Sequence, residues 1–207
     1  FIVNGYNNTL YQPDQRVFGM NFDLDGKLFK FPWVGIETMI GNFAAWDVLA
    51  MRLFVRPAAN TGLPVLEGMQ IGVTLAADTN PYYYSPDPAV KANPAKTAIG
   101  LWGVDIFTPL VTTEPFNLAF LADLGMENVN FGSQLGVSGD AFKFLTYSGM
   151  IRLLGANYVP EYFDGLYDLT REKRMAVYIT PLSTVSPYAG WLVSLGVTVL
   201  DRGFYFK

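Results

Sequence analysis

Residues 116–126 read FNLAFLADLGM and, apart from Leu121 and Ala122, alternate between large apolar side chains and small or polar ones. Such a period of two is the signature of a β-strand whose two faces differ chemically. The same alternation recurs at 18–25, 49–55, 68–75 and 191–199. Strands are therefore predicted along the whole length of the chain.

Weaker alternation fills most of the gaps between these segments. It lies near residues 33–41, 98–107, 132–141, 143–157 and 175–181. Two stretches, 79–96 and 158–174, have no such period and are predicted to be long loops, the second with room for a helical turn in its charged run 168–174. We predict one all-β domain over residues 1–207, with roughly 8–12 antiparallel strands.

Residues 175–200 carry no charge and are long enough for a membrane helix. However, Pro181 and Pro187 interrupt this stretch, and its second half alternates with period two. Two strands joined by a turn are therefore predicted here.

Charge separates the two faces of the predicted strands. Only 15% of the residues are charged, against about 25% in soluble domains. In the five clear segments the large apolar face carries no charge, and the other face is mostly small and polar. A Lys or Arg at the bilayer midplane costs about 2–4 kcal/mol, so lipid would enforce this absence. The sequence thus predicts a transmembrane barrel, closed because an open edge in lipid would leave backbone groups unpaired.

The second face carries charges of both signs, and these are the candidate functional residues. They are Asp23, Glu37, Arg52, Arg56, Asp105, Asp123, Asp140, Arg152 and Arg202. Rings of charge could select ions in a pore, or paired charges could fill a narrow interior. The filled interior is favoured, because about ten strands enclose little more space than side chains can occupy.

Aromatic residues near the segment ends are expected in girdles at the two membrane interfaces. They are Trp33, Trp46, Tyr82, Tyr83, Tyr84, Trp102, Tyr162, Phe163, Tyr188 and Trp191.

Composition excludes several classes of function. The chain has no His and no Cys, so the commonest general base and the thiolate ligands are missing. No phosphate-binding loop, dinucleotide fingerprint or nucleophile elbow is present. The net charge of −4 argues against nucleic acid as a partner. We expect no enzyme, no cofactor and no metal site.

Three stretches resemble predicted outer-membrane β-barrels of spirochaetes. They are WDVLAMRLFVRP at 46–57, GMQIGVT at 68–74 with DTNP at 78–81, and NYVPEYFDGLYD at 157–168. The resemblance implies a barrel located in a bacterial outer membrane, with lipid as its main partner, and implies little about activity.

The sequence ends at 203–207, GFYFK, in what reads as a further strand. Barrels of this class usually finish on a terminal aromatic residue, whereas this sequence ends on Phe206-Lys207. We therefore expect the chain to be incomplete at one or both ends.

The expected role is structural, anchoring or that of a passive, porin-like pore, with other envelope proteins or further copies as additional partners. One alternative is a soluble barrel or sandwich whose uncharged face surrounds an apolar ligand or lipid. Another is a barrel subunit of a larger cell-envelope assembly.

Overall fold

One antiparallel sheet of ten strands contains most of the described chain. The computed structural model describes residues 19–83, 85, 87–89, 98–164, 167–179, 185–199 and 204–206. The strands are β1 (Met20–Asp25), β2 (Val34–Ile40), β3 (Val48–Val55), β4 (Gln70–Asp78), β5 (Ile99–Thr113), β6 (Phe116–Glu127), β7 (Asn130–Ala141), β8 (Leu145–Leu154), β9 (Tyr188–Val199) and β10 (Phe204–Phe206). The all-β, antiparallel prediction is confirmed.

The sheet is a simple meander in which each strand pairs with the next along the chain. All nine pairings are antiparallel. Within the described residues no pairing joins β1 to β10. The meander accounts for the short connections, since antiparallel neighbours need only a turn between them.

The pairing register keeps the chemistry of the two faces separate. Leu53 pairs with Val73, which pairs with Val104, and all three side chains lie on one face. We call this the exposed face, because Leu53 is 48% exposed and its neighbours are similar. Arg52, one residue away on the opposite face, is only 3% exposed. The second face is therefore called the buried face.

Helical elements also interrupt the meander in the part of the chain that the structure describes. They are a 3-10 turn (Gly26–Phe29), α1 (Pro64–Glu67) and α2 (Tyr167–Ile179). Among the described residues, no helix has both the length and the apolar character needed to cross a membrane.

Helix α2 replaces the strand predicted at 175–181, and it extends the single helical turn allowed at 168–174 into thirteen residues. Residues 158–164 are irregular, as predicted for a long connection. Tyr167, Arg171 and Met175 are buried at a spacing of four residues, so the helical period overrides the weak alternation.

The two ends of the sheet differ in their connections. One end, which we call the turn end, carries residues 26–33, 56–69, 114–115 and 142–144. The opposite end carries, among the described residues, 41–47, 79–83, 85, 87–89, 98, 128–129, 155–164, 167–179 and 185–187, and we call it the cap end. Residues 155–164 together with α2 form the cap segment, which packs onto the buried face at that end.

Candidate functional site

The cap segment docks through an aromatic core. Its Tyr162, Phe163, Tyr167 and Met175 are each no more than 1% exposed. They pack against a patch contributed by the sheet: Met39, Val48, Ala50, Ala76, Ile99 and Leu101. The rings of Phe163 and Tyr167 meet edge-on with centroids 4.7 Å apart. This core closes the buried face at the cap end.

Arg171 holds α2 to the sheet from inside this core. Its guanidinium group donates to Asp47 at 2.8 Å, to Asp78 at 3.1 Å and to Asp168 at 2.6 Å. Asp47 precedes β3 and Asp78 ends β4, so one cation joins two strand ends to the helix. The Tyr167 hydroxyl also donates to Asp78 at 2.6 Å. We call these five residues the latch.

The latch is buried, and its burial determines how costly it is to remove one of its charges. The side chains of Asp47 and Asp78 are fully buried, and Arg171 is 2% exposed. Burial lowers the pKa of Arg171, but the neighbouring carboxylates, Asp78 foremost, raise it by more. The guanidinium therefore stays charged, and its removal would leave buried carboxylates without their cation.

Further contacts fix the rest of the cap segment. The backbone N–H of Val159 donates to the Glu127 carboxylate at 2.8 Å. Arg152 on β8 donates to Glu161 at 2.6 Å. Within the cap, Arg174 donates to Asp164 and to the backbone carbonyl oxygens of residues 161 and 162.

Three cap tyrosines are held in their neutral form. Burial, followed by the charge of Glu127, raises the pKa of Tyr158 and of Tyr162. Burial, followed by the charge of Asp78, raises the pKa of Tyr167 well above its usual value. Ionisation of these phenols is therefore coupled to opening of the cap.

A second polar group lies on the buried face between the strands. Arg52 on β3 donates to both carboxylate oxygens of Asp105 on β5, at 2.9 and 2.6 Å. It also donates to Glu37 on β2 at 3.2 Å and lies within 3.5 Å of the Gln70 amide oxygen. This two-pronged pairing with Asp105 is the strong geometry for an Arg and a carboxylate.

Glycine makes that pairing possible. Arg52 must cross β4 to reach Asp105, and the residue in the way is Gly72. A Cβ on Gly72 would lie 2.7 Å from Arg52 Nε and directly against Asp105. Gly35 likewise leaves room for the ring of Phe54. The buried face is filled by these interlocking shapes.

The polar contacts continue across the next strands to the cap. Gln134 on β7 donates to Asp123 at 3.1 Å and accepts from Arg152 at 3.0 Å. Arg152 in turn contacts Glu161 in the cap segment. Between this chain of contacts and the Arg52 group lies a cavity of about 220 Å³, lined by Asp105 and Asp123 among others.

The structure divides the charges predicted from the sequence among separate groups. Glu37, Arg52 and Asp105 meet in one, while Asp123 and Arg152 meet in another through Gln134. Asp23 lies opposite Glu37 in the β1–β2 register.

Two of the remaining predicted charges, Arg56 and Asp140, lie near the turn end. Arg56 pairs with Asp25 at 2.6 Å, and its guanidinium lies 4.8 Å from the Phe54 ring centroid. Asp140 accepts a hydrogen bond from the Asn117 amide. Arg202 lies outside the described residues.

The aromatic residues predicted for the membrane interfaces differ in their exposure. Trp33, Trp46, Trp102 and Trp191 are exposed, as an interfacial residue must be. Tyr162 and Phe163 correct the expectation, since both are fully buried in the cap core.

The other tyrosines of that set are not simple girdle residues either. Tyr82 packs against the cap core, and Tyr83 is partly buried. Tyr188 is exposed, but its partner in the β8–β9 register is Leu154, and both side chains belong to the buried face. Tyr84 lies outside the described residues.

No protein-family model matches the chain, and no curated protein or solved structure is significantly similar to it. In the described part of the chain, no group of three or more acidic side chains is arranged to hold a metal ion. The geometry above is therefore the basis for assigning a function.

The sequence reading missed the latch. Asp47 and Asp78 lie at strand ends and were not among the predicted charges, while Arg171 lies in the charged run 168–174, which was predicted to hold no more than a helical turn within a long connection. The available signal was the four-residue spacing from Tyr167 to Arg171 to Met175, a helical period inside a chain dominated by period two.

Proposed function

We propose that this chain is an integral outer-membrane β-barrel, of the kind found in spirochaetes, whose interior is sealed by side chains and by the cap segment. Its role is structural or anchoring. In this proposal the ten-stranded meander closes on itself, and the exposed face meets lipid.

One observation carries the proposal: the usual distribution of polarity is inverted across the sheet. Leu53, Val73 and Val104 are 39–48% exposed, while Arg52 is 3% exposed one residue away. A soluble protein has no reason to present this row of aliphatic side chains to water. Lipid contact makes such a face favourable and makes charge on it costly.

The same observation weighs against a soluble barrel that carries an apolar ligand. Such a protein would place its uncharged face inward, around the ligand. Here the buried face instead holds Arg52, Asp105 and Arg152. A subunit of a larger envelope assembly remains compatible with the proposal, because that role also begins with membrane insertion.

The test places one charge on each of two exposed leucines. Leu53→Arg lies on the sheet face, and its matched control, Leu169→Arg, lies on α2 at 67% exposure. In lipid vesicles we expect Leu53→Arg to lower the free energy of unfolding by about 2–4 kcal/mol, and the control to change it little. Urea unfolding followed by tryptophan fluorescence measures both.

Recovery of the protein as a monomer without detergent would count against the proposal. Equal tolerance of the two leucine substitutions would count against it as well, because surface changes in soluble proteins usually stay within about 0.5 kcal/mol.

A passive pore is the second candidate, favoured by the cavity beside Arg52 and by unfilled space at Gly190. A Cβ on Gly190 would meet nothing within 4 Å. Conductance in a planar bilayer separates the two candidates. A steady single-channel step supports the pore, and silence supports the sealed interior.

A further inference from the structure

Two connections at the turn end display the same pattern, Phe-Lys-Phe. Residues 29–31 in the β1–β2 connection and 142–144 in the β7–β8 connection both have this sequence. Their aromatic side chains are 49–67% exposed. Leu28, beside the first tripeptide, is 77% exposed. We call these two connections the tips.

The tips are not explained by the turns that they form. Phe142 and Lys143 both have positive φ, at 55° and 64°, as the two central residues of a tight hairpin often do. Asn-Gly suits that backbone much better than a bulky pair. Phe142 stacks only loosely on Phe144, with ring centroids 6.0 Å apart. These side chains therefore add little to folding, and their exposure needs another explanation.

Charge distinguishes the turn end from the cap end. The described connections of the turn end hold four basic and two acidic residues. One of the four, Arg56, is buried against Asp25, whereas Lys143 lies 3.5 Å from Glu114 with both side chains exposed to solvent. The exposed lysines of the tips are therefore Lys27, Lys30 and Lys143. The described connections of the cap end hold six acidic and three basic residues. Among the described connections, those of the turn end carry a net positive charge and those of the cap end a net negative one, so the turn end suits an anionic surface better.

We propose that the tips dock on the phosphate headgroups of an anionic phospholipid leaflet. The three lysines contact phosphate, and the flanking aromatic and aliphatic side chains enter the upper acyl region. A lysine side chain carries its charge at the end of an apolar stem, and aromatic rings favour the membrane–water interface. The Phe-Lys-Phe pattern therefore suits the boundary between headgroups and acyl chains. The inference rests on the proposed membrane function and adds an orientation, with the turn end facing the more anionic leaflet.

The experiment compares folding into two kinds of vesicle. The full chain is unfolded by urea from phosphatidylcholine vesicles and from the same vesicles with phosphatidylglycerol added. The tip variant is Lys27→Gln, Lys30→Gln and Lys143→Gln. The matched control, Lys91→Gln, Lys96→Gln and Lys173→Gln, removes the same charge from residues outside the tips. For each protein, the readout is its folding equilibrium constant in the vesicles with phosphatidylglycerol divided by that in pure phosphatidylcholine. Each variant is thus compared with itself in the two lipids.

Each lysine near an anionic surface contributes about fivefold, so the wild-type ratio should be on the order of a hundredfold. The control variant should keep this ratio, and the tip variant should lose most of it. Because the Debye length falls from about 8 Å at physiological ionic strength to about 3 Å at molar salt, added sodium chloride should reduce the wild-type ratio.

Two results would overturn the inference. One is a tip variant whose ratio equals that of the wild type, which would leave an acidic partner protein as the better occupant. The other is a wild-type ratio that does not change with salt. Failure of every variant to enter vesicles of either composition would instead refute the proposed membrane function, so the two failures are distinguishable.

Discussion

Replacing Arg171 by Ala should release the cap segment from the sheet. The substitution removes the one cation that joins Asp47, Asp78 and Asp168, whose side chains are at most 4% exposed. The three carboxylates then repel one another across the contact between α2 and the sheet. Removing one partner of a buried ion pair costs about 3–5 kcal/mol. The population of the open cap should therefore rise roughly a hundredfold to a few thousandfold.

Hydrogen exchange measures this population directly. In detergent micelles, the amides of α2 exchange through opening of the cap, and their protection factors should fall by the same ratio. Lys173→Ala is the matched control, since Lys173 lies two residues away on the exposed side of the helix. Arg171→Lys should give an intermediate loss, because it keeps the charge and loses the planar fork.

Equal protection of α2 in Arg171→Ala and Lys173→Ala would refute the reasoning. The aromatic core alone would then hold the cap, and the latch would contribute nothing to its closure.

Three further predictions concern the buried face and the cap. Gly72→Ala should lower the free energy of unfolding by about 1–3 kcal/mol through overpacking. Gly100→Ala is the control and should be almost neutral, because a Cβ there meets nothing within 4 Å. The midpoints of urea unfolding test both substitutions. Arg52→Ala should cost about 3–5 kcal/mol by the same assay, since Asp105 would be left buried without its cation. The raised tyrosine pKa values stabilise the closed cap below about pH 10, and this stability should be lost at higher pH. Phenolate absorbance should then rise together with α2 hydrogen exchange, and simple titration of the phenols without increased exchange would contradict the coupling.

Much of the sheet could be predicted because alternation is a local property. The segment 116–126 lies within β6, and 49–55 and 191–199 lie within β3 and β9. In each case a side chain's face follows from whether its position is odd or even, so the placement of Arg52 opposite Leu53 needed no tertiary information.

The cap could not be predicted in this way. Residues 175–179 carry an apolar pattern that is compatible with a strand or a helix, and short apolar runs do not distinguish the two. The burial of Tyr162 and Phe163 was equally hidden, because an aromatic residue near a strand end suits either an interface or a core.

By itself the sequence determined the strands, the chemistry of their two faces and the absence of histidine and cysteine chemistry, since all of these are properties of single residues and near neighbours. Only the tertiary structure decided which charges meet. Arg171 is separated from Asp47 and Asp78 by 124 and 93 residues, and Arg52 is separated from Asp105 by 53. Pairing over such distances depends on strand register and on the fold of the cap, and no local pattern encodes either one.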